Sequence, residues 1–163
     1  MISLEKITSI RKIVSEVRKK ATKSLSKSNS LYSVVTLIDS IYLKRGASRL
    51  FPTNVASGTT VAHSHPALED MKQGSVTIDF GFQKEGVKID TAFTTSFNTS
   101  PDKRYYRKIK KKYKKYIQVV RKNLLLGQIT NRTIATLFDS CFRELSDDCC
   151  KSLMGHRIGI ALH

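Results

Sequence analysis

Ile10, Val14, Val17 and Ala21 recur every three or four positions, and Arg11, Lys12, Arg18, Lys19 and Lys20 fill the places between them. That spacing lays one apolar stripe along a helix and predicts an amphipathic helix from about Ser3 to Ser26. A Ser/Asn cluster over residues 24–30 ends it. A second helix is predicted over Leu31–Lys44 through Val34, Val35, Ile38, Ile41 and Tyr42, with Gly46 placed to close it. Phe51-Pro52 cannot continue a helix, because the proline ring pushes the preceding residue out of the α region. From Ser75 the period falls to two. Val76, Ile78, Phe80 and Phe82 alternate with Thr77, Asp79 and Gly81, and after Gln83-Lys-Glu-Gly86 the apolar positions resume at Val87, Ile89 and Phe93. This predicts a β-hairpin. With Gln83 to Gly86 as the loop, Phe82 faces Val87, Phe80 faces Ile89 and Asp79 faces Asp90. Two more helices are predicted, from about Asp102 to Leu126 with Gly127 as its stop, and from about Asn131 to Leu145. An apolar, glycine-bearing segment from Leu153 to Leu162 is expected as a terminal strand. The fold class is therefore α/β (α+β). The order helix-helix-hairpin, helix-helix-strand hints at a duplicated unit whose second copy is cut short.

The chain has 163 residues, 40% of them hydrophobic and 26% charged, which is the length and balance of one folded domain. Its apolar runs fall far short of the ~20 residues of a membrane span. Met1 to Lys12 lacks the unbroken apolar core of a secretory signal, so a cytoplasmic location and no membrane contact are expected. Charge changes the picture more. Lys plus Arg outnumber Asp plus Glu by 29 to 13, giving +16 and a pI near 10.0. Residues 1–50 carry 11 basic and 3 acidic side chains, residues 51–100 carry 3 and 5, and residues 101–163 carry 15 and 5. Basic helices thus flank a slightly acidic middle. Such a chain is attracted to polyanions. The cysteines, Cys141, Cys149 and Cys150, offer no C-x-x-C spacing and read as reduced thiols.

Asp79 and Asp90, facing each other across the hairpin, would place like charges at about 4.5–5.5 Å between Cβ atoms, which destabilises a sheet unless something compensates. A divalent cation would do so, and added imidazole would complete a mixed O/N site suited to manganese, iron(II), cobalt or zinc. The plainer alternative is that both acids point to water.

Six segments then carry a resemblance. Phe51-Pro-Thr-Asn, Val61-Ala-His-Ser-His-Pro66, Ile78-Asp-Phe-Gly81, Lys88-Ile-Asp-Thr-Ala-Phe-Thr94, Gly155-His-Arg-Ile-Gly159 and His163 are similar, in order and spacing, to the motifs of the methionine aminopeptidases. The Phe-Pro start and the Ala-His-x-x-Pro pattern resemble the type 2, archaeal and eukaryotic, branch. Ser64 and His65 depart from it, standing where the family has tyrosine and threonine; His65 reads as a solvent-facing loop residue.

The resemblance implies a pita-bread fold with two divalent metal ions between its halves and removal of the initiator methionine from nascent peptides. It implies Asp79, Asp90 and His156 as metal ligands, His63 lining the substrate site, and His163 near the metals and contacting the substrate carbonyl. The family's two further ligands are glutamates, one of which also serves as the base. Neither occurs before His163, and Glu144 is no convincing substitute. The expectation is thus a single incomplete, truncated domain over residues 1–163, possessing three of five ligands and needing a second polypeptide. A proline-directed or creatine-cleaving relative fits less well, because the motifs begin almost at once. The competing reading is a noncatalytic ribosome- or RNA-binding module that uses Lys108, Lys110, Lys111, Lys112, Lys114 and Lys115, interleaved with Tyr113 and Tyr116. Against that stands the bland possibility that a lysine run only solvates a helix.

Overall fold

The computed structural model describes residues 3–57, 65–96, 100–127 and 130–142. Three of the expected site residues, His63, His156 and His163, lie outside them, as do Cys149, Cys150 and the expected strand at residues 153–162.

Helix α1 (Leu4–Lys27) starts at Ser3, whose Oγ accepts the Lys6 N–H at 3.3 Å, and it carries Glu5 in its first turn and Lys27 in its last, as the helix dipole favours. Its buried stripe is Ile10, Ile13, Val17, Ala21 and Leu25, with Val14 at the margin. Helix α2 (Leu31–Lys44) starts at Ser30, whose Oγ accepts from the Ser33 N–H, and buries Leu31, Val34, Ile38, Ile41 and Tyr42. At its end Gly46 takes φ +68°, its N–H bonds the Leu43 carbonyl, and the Ala47 N–H bonds the Tyr42 carbonyl. That is a Schellman arrangement, and it ends the helix at the Gly46 expected to close it. Glu16 pairs with Lys20 of its own helix at 2.6 Å and with Arg45, at the end of α2, at 2.8 Å, and these two bonds, Lys20 foremost, hold its carboxyl below the usual range.

The helices pack with a three-stranded antiparallel sheet, ordered β1 (Ser48–Ser57), β2 (Ser75–Lys84), β3 (Val87–Ser96). Central β2 sends Val76, Ile78, Phe80 and Phe82 into the helix-covered core, all at 0% exposure, and β3 adds Val87, Ile89 and Phe93. Each fully buried side chain of this size stabilises by about 1.5–3 kcal/mol. Tyr42 stacks on Phe82 with ring centroids 5.9 Å apart.

Strand β1 is absent from the sequence expectation. Its ladder to β2 slips between Arg49 and Phe51 and again between Phe51 and Asn54, around Pro52, which has no N–H to donate. Proline is tolerated there because β1 lies at a sheet edge and bulges. Side chains compensate for the lost ladder: Asp39 on α2 accepts from Tyr42 Oη at 2.5 Å, Thr53 Oγ1 at 2.6 Å and Arg49 Nη1 at 3.3 Å. Beyond β1 the chain returns through residues 65–74. The Lys72 N–H bonds the Asn29 carbonyl, its Nζ bonds the Leu25 carbonyl, and the Gln73 N–H bonds Ser57 Oγ.

Phe51 pairs with Gly81, and its ring covers that glycine: a Cβ placed on Gly81 would stand 2.8 Å from Cδ1 and 2.9 Å from Cζ.

A second compact unit contains α3 (Ser100–Leu125) and α4 (Asn131–Phe142). Thr130 caps α4 by accepting the Thr133 N–H at 3.1 Å. The pair is joined by Tyr116, Phe138 and Phe142, with Phe138 and Phe142 stacked at 4.5 Å, surrounded by Ile109, Ile117, Val120, Ile134 and Leu137.

Two stability predictions follow from this packing. Burial first, and the Asp39 bond second, push the Tyr42 phenol above its ordinary range. A phenol whose folded-state pKa exceeds the unfolded value contributes fully below about pH 10, and that contribution falls as pH rises past it. Tyr42→Phe should cost about 1–3 kcal/mol at pH 7 and make the alkaline decline in the urea midpoint shallower; equal slopes for both proteins would refute the assignment. Gly81→Ala should cost about 1–3 kcal/mol by overpacking. Adding Phe51→Ala should make the pair of changes less costly than the sum of the singles, and strict additivity would show that the ring does not cover Gly81.

Candidate metal centre

The strand period that buries Val76, Ile78, Phe80 and Phe82 turns Thr77, Asp79 and Gly81 to the other face of the sheet. The β3 pairing adds Asp90 opposite Gly81, Ala92 opposite Asp79 and Thr94 opposite Thr77. Asp79 and Asp90 therefore share a face, as the hairpin pattern predicted. They do not stand directly opposite each other, however, and that expectation is corrected. The turn has two residues, not four: Lys84 pairs with Val87, and Glu85 and Gly86 take φ +51° and +78°. Two consecutive positive φ values are the signature of a type I′ turn, which matches the natural twist of the strands. The register accordingly shifts by two, Phe82 faces Ile89 and Phe80 faces Thr91. An even shift leaves every side chain on its expected face.

The acids are now diagonal neighbours, at about 7–8 Å in backbone terms and somewhat less between Cβ atoms. Both are half-buried. Diagonal placement lowers their mutual repulsion relative to direct opposition. Two hard oxygen donors on a rigid sheet suit a divalent ion of the manganese, iron(II), cobalt or zinc group, so the residues present fit part of such a site. Among the described residues, no group of three or more His, Cys, Asp and Glu comes together.

Strand β1 supplies neighbours to which sequence reasoning assigned no role. Asn54, 9% exposed, stands opposite Asp79, and the Phe51 ring lies over Gly81 in the row that contains Asp90. A third row joins Ala56, Thr77 and Thr94, with the two threonine hydroxyls 3.0 Å apart. The face thus offers two carboxylates, a buried amide and an aromatic wall. The only signal for Phe51 and Asn54 was the Phe-Pro-Thr-Asn motif, since the bulge erases any period-two pattern in β1.

Elsewhere, His65 is exposed in the connection to β2, as expected of a loop residue. Lys108, Lys110, Lys111, Lys114 and Lys115 are exposed on α3, whereas Lys112 is half-buried with its Nζ 3.3 Å from the Cys141 carbonyl. Cys141 is a free thiol. Among the described residues no helix is long and apolar enough to cross a membrane.

The chain is similar to a methionine aminopeptidase of Methanothermus fervidus, 31% identical over 171 aligned positions that cover 95% of this chain and 88% of that protein. No solved structure matches the chain. Residues 5–163 match the sequence profile of metallopeptidase family M24, a span that begins in α1 and includes β2, β3 and both acids. The chain belongs to metallopeptidase family M24.

Proposed function

We propose that this protein is an aminopeptidase of the methionine aminopeptidase type, of the type 2 branch, acting in the cytoplasm on nascent peptides that begin with methionine. The observation that carries this reading is the placement of Asp79 and Asp90, half-buried on one sheet face beside the Phe51 ring. Asp79 and Asp90 would hold the divalent metal with their carboxylates and His156 would supply an imidazole ligand; the resemblance calls for two glutamates besides. Bound divalent ions polarise a scissile carbonyl and make water acidic enough to attack at neutral pH.

The remaining work belongs to side chains. The carboxylates of Asp79 and Asp90 neutralise cationic charge and fix its position relative to the sheet. Phe51, flat against Gly81, offers an apolar wall for an unbranched side chain, and thioether sulfur packs well on aromatic rings. His163 would donate to the substrate carbonyl oxygen, and His63 would shuttle a proton at the scissile amide. The alternative of a noncatalytic module does not account for two acids on a rigid face: nucleic acid repels them.

The test combines metal content with peptide cleavage. The wild-type chain, loaded with manganese, cobalt, iron(II) or zinc, should retain metal through desalting, and release of methionine from Met-Ala-Ser is expected once a second polypeptide supplies the two glutamates. Asp79→Ala and Asp90→Ala should each lower metal affinity by more than the roughly 10–100-fold that follows loss of a supporting hydrogen bond, with the fold intact by circular dichroism. Metal retention indistinguishable between wild type and both variants would overturn the assignment.

A further inference from the structure

The lysine-rich helix has a geometry that the peptidase reading does not use. Residues 103–138 hold 12 basic and no acidic side chains. Along α3 the buried and half-buried side is formed by Ile109, Lys112, Tyr116, Ile117 and Val120, which pack toward α4. Arg107, Lys108, Lys111, Lys114, Lys115 and Lys122 are all exposed. At 3.6 residues per turn these six fall within an arc of about 120° opposite the packed side, and at 1.5 Å per residue they extend over about 22 Å. Gln118 interrupts the row between Lys115 and Lys122, and α3 itself offers no carboxylate after Asp102.

We infer that this face of α3 docks the phosphodiester backbone of a nucleic acid, without reading sequence. A linear row of about 22 Å has the length to meet several successive phosphates of one strand. An anionic membrane surface fits less well, because a helix that lies in lipid needs an apolar side to bury, and the apolar side of α3 is occupied by Phe138 and Phe142 of α4. Base stacking is not part of the surface. Tyr116 is buried in the aromatic cluster, and Tyr113 leans on Tyr116 at 6.1 Å, off the cationic row. The basic residues of α1 make a useful contrast. Lys12, Lys19, Lys20 and Lys23 line a shallow groove, but Glu16 stands within it and pairs with Lys20 and Arg45.

The test uses the full chain and a fluorescent 20-nucleotide single-stranded RNA of mixed sequence, with affinity followed by anisotropy from 50 to 200 mM KCl. Neutralising about five phosphates of a single strand gives a log-log slope of about −3.5, so the fourfold rise in salt should weaken binding about 100-fold. Lys111→Glu, Lys114→Glu and Lys115→Glu together should weaken binding at 50 mM by at least tenfold and flatten the slope by about 2. Lys12→Glu, Lys19→Glu and Lys23→Glu together change net charge equally and should leave affinity within threefold. A second mixed RNA sequence should bind within threefold of the first. Equal loss in the two triple variants, an affinity indifferent to salt, or equally tight binding to phosphatidylserine vesicles would each overturn the inference.

Discussion

The register of β2 against β3 is the constraint on which the rest of the first unit depends. It has two parts with different physical origins. Which side each residue faces is fixed by burial: a slip of one residue would put Asp79 among Tyr42, Ile38 and Val34 and expose Phe80 and Phe82, with a lost apolar gain of several kcal/mol and the larger cost of an unpaired buried carboxylate. Which residue faces which is fixed by the turn. Glu85 and Gly86 close the hairpin with positive φ at both positions, and that closure sets Asp79 beside Ala92 and Asp90 beside Gly81. The metal-binding potential of the sheet rests on the second part, its stability on the first.

This division explains what the sequence made legible. The two N-terminal helices, the glycine stop at Gly46, the hairpin, and the common face of Asp79 and Asp90 all follow from periodicity, which reports burial. The two-residue turn does not, because glutamate is a poor marker for a left-handed position and Gln83-Lys-Glu-Gly86 reads equally well as a longer loop. Strand β1 escaped for a related reason. Pro52 and two register slips remove the alternation by which a strand is recognised, and the strand is kept in place by side chains instead. Asp39 was equally opaque: an acid on an amphipathic helix looks like a solvent contact until Tyr42, Thr53 and Arg49 converge on it.

Asp39 links the fold to the site. A bulged edge strand with one ladder partner is ordinarily a loose element. Here Thr53 and Arg49 of β1 both donate to the Asp39 carboxylate of α2, which also accepts from Tyr42, and Thr53 is 1% exposed. Phe51 and Asn54, which flank the Pro52-Thr53 pair along β1, stand on the opposite side: the Phe51 ring against Gly81, and Asn54 opposite Asp79. The aromatic wall and the amide beside the acids are thus held by a polar network lying on the far side of the sheet, in contact with the helices. Asp79 and Asp90 stand together on one sheet face while the exposed row of cations runs along α3, so that cation-seeking and anion-seeking surfaces occupy different elements of one strongly basic chain.

Strand β2 writes two messages in alternate letters. One set of letters, read by the oily interior, tolerates exchange among side chains of like volume; the other, read by whatever ligand approaches from outside, tolerates almost none at the acids and at Gly81. A lineage that abandoned the chemistry could let the second set drift while the first stayed intact, and the polypeptide would still collapse into the same shape. Inheritance of a form and inheritance of a trade are therefore separable within ten consecutive residues of this molecule.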